Sequence, residues 1–304
     1  MTGGSGFIGK KLVAYLVTQG CKVSVVSRQK VVFDKEVTVI EMDLLTGSFS
    51  FLENEDFDVV INCAADLRNN KVMDELHVNV PLRMLSFLQG SSCRWVQLSS
   101  VGVYGSKMDG VIDEATLFNP RGKYEITKAQ AEHEISKYCQ KNDIPFSILR
   151  PSNVFGIDMV NTSLRNLIKA IKSGRFFYMA NPEQVSMNYV DVDNVVEGLW
   201  LCSTKKDADG QAFNLSDRID QKEFVAIVCD EYGVSPPRLF IPSSIIRLLY
   251  YFFAWLPSFP LTPAAINALT TKAEYPTQKI ERDLGFRIKS PLPQALRAYI
   301  KALG

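Results

Sequence analysis

The sequence predicts an α/β fold: a doubly wound parallel sheet followed by a smaller, mostly helical C-terminal region. Three observations carry that expectation. Short β-branched runs alternate with helix-length amphipathic segments through the first half. The runs are almost continuously apolar, as strands covered on both faces must be. A glycine cluster stands directly before the first helical segment. The strand runs are Lys22–Ser27, Val37–Glu41, Asp58–Asn62, Arg94–Ser99 and Pro145–Leu149, with a later return at Gln211–Leu215. Between them lie the helical segments Gly6–Thr18, Val72–Leu88 and Lys123–Gln140, the last striped by Ala129, Ala131, Ile135 and Tyr138. Strand–helix–strand repetition implies parallel pairing through right-handed crossovers. Beyond Arg150, Ser163–Ser173 reads as a helix. Asp193 reads as the N-cap of another that runs through Cys202. The expected division is a dinucleotide-binding unit over 1–155 with returns near 188–216, and a substrate-binding region over 156–187 and 217–304.

Composition narrows the function classes. Lys and Arg number 34 against 33 Asp and Glu in 304 residues, so no charge excess points to nucleic acid or an anionic surface. The six cysteines form no CxxC pair, and several sit in apolar runs. Reduced thiols in a cytoplasmic protein are expected rather than a disulfide framework. His77 and His133 are the only histidines, too few for His-rich metal or Ser-His-Asp chemistry, and a structural role is expected of both. No secretory signal opens the chain. The apolar run Ile245–Leu256 falls short of the roughly 20 residues a spanning helix needs. It reads as a buried helix or the wall of a substrate pocket, with peripheral membrane contact a lesser alternative.

The chemistry-bearing motifs follow the sheet. Thr2-Gly3-Gly4-Ser5-Gly6-Phe7-Ile8-Gly9 spaces its glycines three and three. Gly3 allows a tight turn, Gly6 lets backbone approach a pyrophosphate, and Gly9 lets the helix pack against the sheet. This is the Rossmann arrangement, in which the strand before the glycines is central to the sheet. Only Met1 and Thr2 precede them here, so the expectation is a start further upstream, a trimmed chain, or another segment filling the gap. The end of the next strand reads Ser27-Arg28-Gln29-Lys30, with no acid for a ribose 2′-hydroxyl. Arg28 therefore tilts the cofactor expectation between NAD and NADP slightly towards NADP. Tyr124 and Lys128, four apart, share one helix face. A phenol with a reference pKa of about 10 is a weak base at neutral pH, and a neighbouring cation is expected to lower it. Gln97–Gly105 places hydroxyls at the carboxyl end of a strand, where Ser100 can hydrogen-bond a reacting oxygen. Arg150–Gly156 follows the next strand and borders the same crevice.

These segments resemble the extended short-chain dehydrogenase/reductase superfamily, in its NAD-dependent epimerase/dehydratase branch. The matching motifs are TGGSGFIG, INCAAD at Ile61–Asp66, Asn79 in HVNV, SSVGVYG, YEITK, RPSNVFG, NYVDVDN at Asn188–Asn194, and LGF at Leu284–Phe286. The resemblance implies an NAD(P)-dependent enzyme acting on a small-molecule secondary alcohol or ketone, with Ser100, Tyr124 and Lys128 catalytic. It implies that Gly3, Gly6, Phe7, Ile8 and Gly9 cradle the pyrophosphate, that Asp43 and Leu44 lie near the adenine, and that Ala64 and Ala65 flank the cofactor. Lys128 would bond the nicotinamide ribose. Asn79, Tyr124, Pro151 and Val154 complete the implied cofactor contacts; Ser100, Asn153 and Met187 are the implied substrate contacts. A homodimer through the Tyr-bearing helix is also implied.

Two departures matter. Sugar dehydratases of this branch carry Thr-Asp-Glu where this chain has Ser99-Ser100-Val101, which disfavours dehydration. Nucleotide-sugar epimerases commonly carry an Arg where this chain has Met187; Arg165 or Arg175 could substitute. A nucleotide-sugar 4-epimerase or 4-keto-reductase is therefore expected first. An enzyme like the 3β-hydroxysteroid dehydrogenases or flavonol reductases, acting on a bulky apolar substrate, is the alternative, favoured by Met187 and the aromatic stretch near Tyr250–Trp255. A cofactor-binding sensor without turnover is a third reading, which the intact Ser, Tyr and Lys oppose.

Overall fold

The computed structural model describes residues 1–33, 37–54, 56–105, 109–159, 161–253 and 263–304. Residues 254–256 of the apolar run, Trp255 included, lie outside the described residues, as do 261 and 262 of the tail. Six parallel strands form the sheet: β1 Val23–Ser27, β2 Val37–Glu41, β3 Val59–Asn62, β4 Arg94–Leu98, β5 Phe146–Pro151 and β6 Gln211–Leu215. β2 pairs with β1 on one side; β3, β4, β5 and β6 pair in that order on the other. The two halves meet at Thr2, which bridges Val26 of β1 and Asn62 of β3 in parallel.

Met1 and Thr2 thus take the central position that the sequence left open. Thr2 N donates to Ile61 O at 3.0 Å, Cys63 N to Thr2 O at 3.2 Å and Val26 N to Met1 O at 2.9 Å. The Met1 nitrogen donates to Ser24 O. An apolar cavity lies beside this pair, lined by Val26, Ile40, Phe51, Val60 and Met84.

Helix α1, Phe7–Thr18, buries Leu12, Val13 and Leu16 in a core shared with Val25, Val96, Leu149, Phe213 and the helix Val192–Thr204. Ile280, Leu284 and Phe286 from the tail also pack there. The N-cap of Val192–Thr204 is Asp191, whose carboxylate accepts from Asp193 N at 2.8 Å. The expected cap at Asp193 therefore falls two residues late, inside the helix, because Asp191 is the residue still in extended conformation. On the other face, helix α2, Lys123–Lys141, buries Ala131, Ile135 and Cys139 against Trp95, Phe146 and Ile148.

The helical stretch 70–86 is not one regular helix. Asn70–Asp74 is α-helical, Glu75–Asn79 forms a π turn, and Val80–Ser86 resumes the α-helix. The π turn inserts a residue and rotates the faces, so His77 and Val78 turn inward. A second sheet, Asp217–Asp220, Ser186–Asp191 and Asn153–Phe155, sits over a separate core of Phe155, Met187, Phe224 and Leu296. Among the described residues no helix is long and apolar enough to cross a membrane.

Candidate active site

The implied cofactor residues fall along the carboxyl ends of the parallel strands, where open α/β sheets bind ligands. Gly3 has φ +68°, and a Cβ there would lie 2.6 Å from Cys63 C and 2.7 Å from Ala64 N. A Cβ on Gly9 would lie 2.0 Å from Gly3 O. Both contacts are with backbone, so α1 can abut the glycine turn only if these positions carry no side chain. A Cβ on Gly6 would meet Gly3 O at 3.2 Å. Gly6 caps α1 with no side-chain hydrogen bond, which leaves the first helical N–H groups to a ligand anion. Phe7 packs towards the second core and Ile8 towards the first. This uncapped helix start fits the pyrophosphate of a dinucleotide.

Arg28 is exposed at the end of β1, and its charge helps depress the Asp66 carboxyl, which is lowered chiefly by hydrogen bonds from Asn69 N and Arg68 N. Asp43 accepts from Leu45 N at 3.0 Å in the turn after β2, and Arg83 donates to Leu44 O and Leu45 O. Ala64 is buried beside Gly3, and Ala65 is exposed.

The catalytic candidates converge. Lys128 is buried on α2, and its Nζ donates to Leu98 O at 3.0 Å and lies 5.9 Å from the centre of the Tyr124 ring. Burial pulls its pKa down to about 8. The Ser100 hydroxyl lies close enough to the Tyr124 phenol to favour its ionised form, and it accepts from Gly102 N at 3.0 Å. Tyr124 departs from the electrostatic expectation. Burial pushes the phenol up to about 12, and the Ser100 hydrogen bond only partly opposes it. Desolvation of a phenolate therefore sets the direction of the shift.

Buried polar contacts hold this arrangement. Arg150 of β5 grips the Glu132 carboxylate of α2 through Nε at 2.9 Å and Nη2 at 2.6 Å, and its Nη1 donates to the Tyr104 hydroxyl at 2.6 Å. The Ser99 hydroxyl donates to Glu132. The two adjacent serines thus divide: Ser99 faces the ion pair and Ser100 faces the phenol. Tyr104 donates to Asn214 of β6 at 3.0 Å.

Other expected residues lie further out. Pro151 is buried in β5 opposite Leu215, and Val154 leans on the first core. The Asn153 amide donates to Asn188 O at 3.0 Å. Met187, implied as a substrate contact, is 3% exposed inside the second core with Phe155 and Val185, and its side chain presents no surface to a ligand. Asn79, implied as a cofactor contact, is exposed and donates to Glu75 at 2.7 Å, because the π turn directs it away from α2. Sequence reasoning did not single out Asn188. This side chain is buried, donates to Ala273 O at 2.8 Å, and has no hydrogen-bond partner for its Oδ1 among the described residues.

A glycine cradle and a Tyr–Lys helix at one edge of a parallel sheet mark a nicotinamide-dependent enzyme of the extended short-chain dehydrogenase/reductase class. The family description "NAD dependent epimerase/dehydratase family" matches residues 1–216, and the chain belongs to that family. It is 23% identical over 242 residues to the human dTDP-D-glucose 4,6-dehydratase, covering 72% of this chain and 69% of that protein. A 4-hydroxy-2-methyl-3-oxo-4-farnesyl-3,4-dihydroquinoline-1-oxide ketoreductase from Stigmatella aurantiaca is 24% identical over 325 residues, covering 99% and 95%. The fold is shared with the Bacillus cereus UDP-glucuronic acid 4-epimerase in complex with NAD, at a TM-score of 0.76, 21% identity, and coverage of 99% and 96%.

Proposed function

We propose that this enzyme oxidises and reduces the 4-position of a nucleotide sugar, as a 4-epimerase or 4-keto-reductase, with Ser100, Tyr124 and Lys128 as its catalytic set. The observation that carries the reading is the convergence of a buried Lys128, with its Nζ 5.9 Å from the Tyr124 ring centre, and Ser100 on the same phenol. The bound dinucleotide supplies a hydride acceptor and donor. In the oxidising direction the alcohol C–H leaves as hydride, and its O–H proton passes to the Tyr124 oxygen. In the reducing direction Tyr124 returns that proton to the carbonyl oxygen while Ser100 donates a hydrogen bond to it. Burial keeps the phenol protonated, which suits reduction. Accepting the alcohol proton needs Tyr124 as phenolate, and the positive charge of Lys128 beside the ring favours that form.

Dehydration requires an acid to protonate the departing hydroxyl. The end of β4 carries Ser99, Ser100 and Val101 there, and the nearby Glu132 carboxylate is held by Arg150. The similarity to sugar-nucleotide enzymes supports the nucleotide-sugar class. The ketoreductase that matches nearly the full chain favours a second reading, an apolar ketone, to which the exposed Ile245, Leu248 and Tyr251 of the helix Ser243–Phe253 add weight.

Thermal shifts with UDP- and dTDP-sugars in the presence of NAD separate the two readings. Ligand at 100 times its Kd stabilises by about 2.7 kcal/mol. No shift with any nucleotide sugar, beside turnover of an apolar ketone, would overturn the first. Tyr124→Phe is expected to lower kcat by about 10²–10⁴-fold while cofactor binding persists; unchanged turnover would remove Tyr124 from the mechanism.

A further inference from the structure

His77 is 1% exposed and lies between the loop that follows β3 and helix α2. Its Nε2 accepts the backbone N–H of Asp66 at 3.0 Å. Its Nδ1 is 2.8 Å from the Thr127 hydroxyl. Thr127 in turn donates to Lys123 O at 3.0 Å or Tyr124 O at 3.1 Å. A backbone N–H can only donate, so Nε2 must be the accepting nitrogen and Nδ1 must carry the proton. Thr127 then accepts from Nδ1–H and spends its own hydrogen on the first turn of α2. One tautomer of the neutral ring satisfies all of these contacts. The imidazole also meets the Tyr124 ring edge-on, with centroids 5.7 Å apart.

The loop at the other end of this chain bears on the cofactor cradle. Its residues Cys63 and Ala64 are the ones that press against Gly3, and Asp66 tightens it by accepting from Arg68 N and Asn69 N at 2.8 Å each. The π turn at Glu75–Asn79 is what brings His77 inward between the two. We propose that His77, neutral and protonated on Nδ1, is a positioning residue that ties the cofactor-side loop after β3 to Tyr124. The proposal rests on Tyr124 being the acid–base group.

Protonation breaks the link, because Nε2–H would then point at the Asp66 N–H. The charged groups facing the ring are Lys128 from α2, Asp66 from the loop and Asp74 from its own helix, the last paired with Lys123. Burial, followed by the Lys128 charge, holds the ring down to about 4 against the two carboxylates, and the Asp66 N–H, donating to Nε2, also favours the neutral ring.

Histidine ring nitrogens are read directly by long-range ¹H–¹⁵N NMR. With two histidines in the chain, His77→Asn assigns the signals. The expected result is an Nδ1–H tautomer, still neutral at pH 5.5, whose resonances shift when NAD is added. An Nε2–H tautomer, a charged ring at pH 5.5, or indifference to NAD would overturn the proposal. Kinetics test the positioning role. His77→Phe is expected to lose at least about tenfold in kcat, with KM and NAD affinity within about threefold. His77→Asn keeps an N–H near the Nδ1 position but leaves the Asp66 N–H without its acceptor, so it recovers little of that loss, and full recovery would overturn the link. Thr127→Val matches His77→Phe and Thr127→Ser does not, and the Phe/Val double variant is no slower than the slower single. If His77→Phe fails to fold, the Thr127 pair reads the same link from its other end. Unchanged kcat in Thr127→Val overturns it. If the wild type turns over neither sugar nor ketone, the proposed function fails, while the ring tautomer and its response to NAD still decide the role of His77.

Discussion

Replacing Lys128 by Met should remove turnover and stabilise the folded chain. The ammonium is 2% exposed and burial lowers its pKa from 10.5 to about 8. At 1.36 kcal/mol per unit, the charged form costs the folded state about 3 kcal/mol. Met has a similar shape without the charge, but it leaves Leu98 O without the donor now 3.0 Å away. An unpaired carbonyl returns about 1–3 kcal/mol of that gain, so the net expectation is about 0–2 kcal/mol in favour of the variant at pH 7. The pH dependence identifies the cause. Below pH 8 both folded and unfolded chains carry the proton, and wild type bears the whole penalty. Between 8 and 10.5 the folded lysine sheds its proton while the unfolded one keeps it, and the penalty fades; above 10.5 it is gone. Urea unfolding of the cofactor-free proteins at pH 7 and pH 9.5 measures both points. A variant less stable than wild type by 2 kcal/mol at pH 7, or an advantage that does not shrink at pH 9.5, would refute the reasoning.

Gly9→Ala forces a Cβ into Gly3 O and Gly4 Cα; a loss of about 1–3 kcal/mol and of the NAD-induced thermal shift is expected, and normal NAD binding would show that α1 does not need to abut the turn. Glu132→Gln leaves the buried Arg150 charge uncompensated and should cost about 3–5 kcal/mol in urea unfolding, whereas Glu132→Leu with Arg150→Met should cost far less. Arg28→Ala should weaken NADP(H) about 10–100-fold, as loss of a charge-assisted contact does, and leave NAD(H) nearly unaffected in fluorescence titration; equal losses would remove Arg28 from the 2′-phosphate.

The parallel sheet was legible because its strands are short, apolar and separated by helix-length segments, a local pattern. Each of the six ends within a few residues of its expected place, as Asp58–Asn62 against Val59–Asn62 illustrates. The π turn was not legible, since one inserted residue barely disturbs a 3.6-residue period and yet swaps Asn79 outward for His77 inward. Tyr124 shows another limit. The Tyr–Lys spacing supplies a cation, but how far the phenol is removed from water depends on Ser100, His77 and the loops around α2, which come from three distant segments. Glu132 and Arg150 are 18 residues apart in sequence, and nothing local marks them as partners.

Those two levels meet in a single stripe of α2. Tyr124, Lys128 and Glu132 recur every four residues and so share a face, and their burial deepens from a half-buried phenol to an amine and a carboxylate in the interior. Burial lowers the Lys128 pKa to about 8, against Cys63 and Glu132, which raise it. Arg150 meets the same carboxylate with two guanidinium nitrogens. A lone Lys–Glu pair at this spacing would bond to itself and turn its ammonium inward. With the carboxylate engaged by Arg150 and Ser99, the ammonium instead bonds Leu98 O beside the phenol at the carboxyl edge of β4. The ion pair therefore does more than stabilise the interior: it leaves the lysine to bond beside Tyr124 at the carboxyl edge of β4.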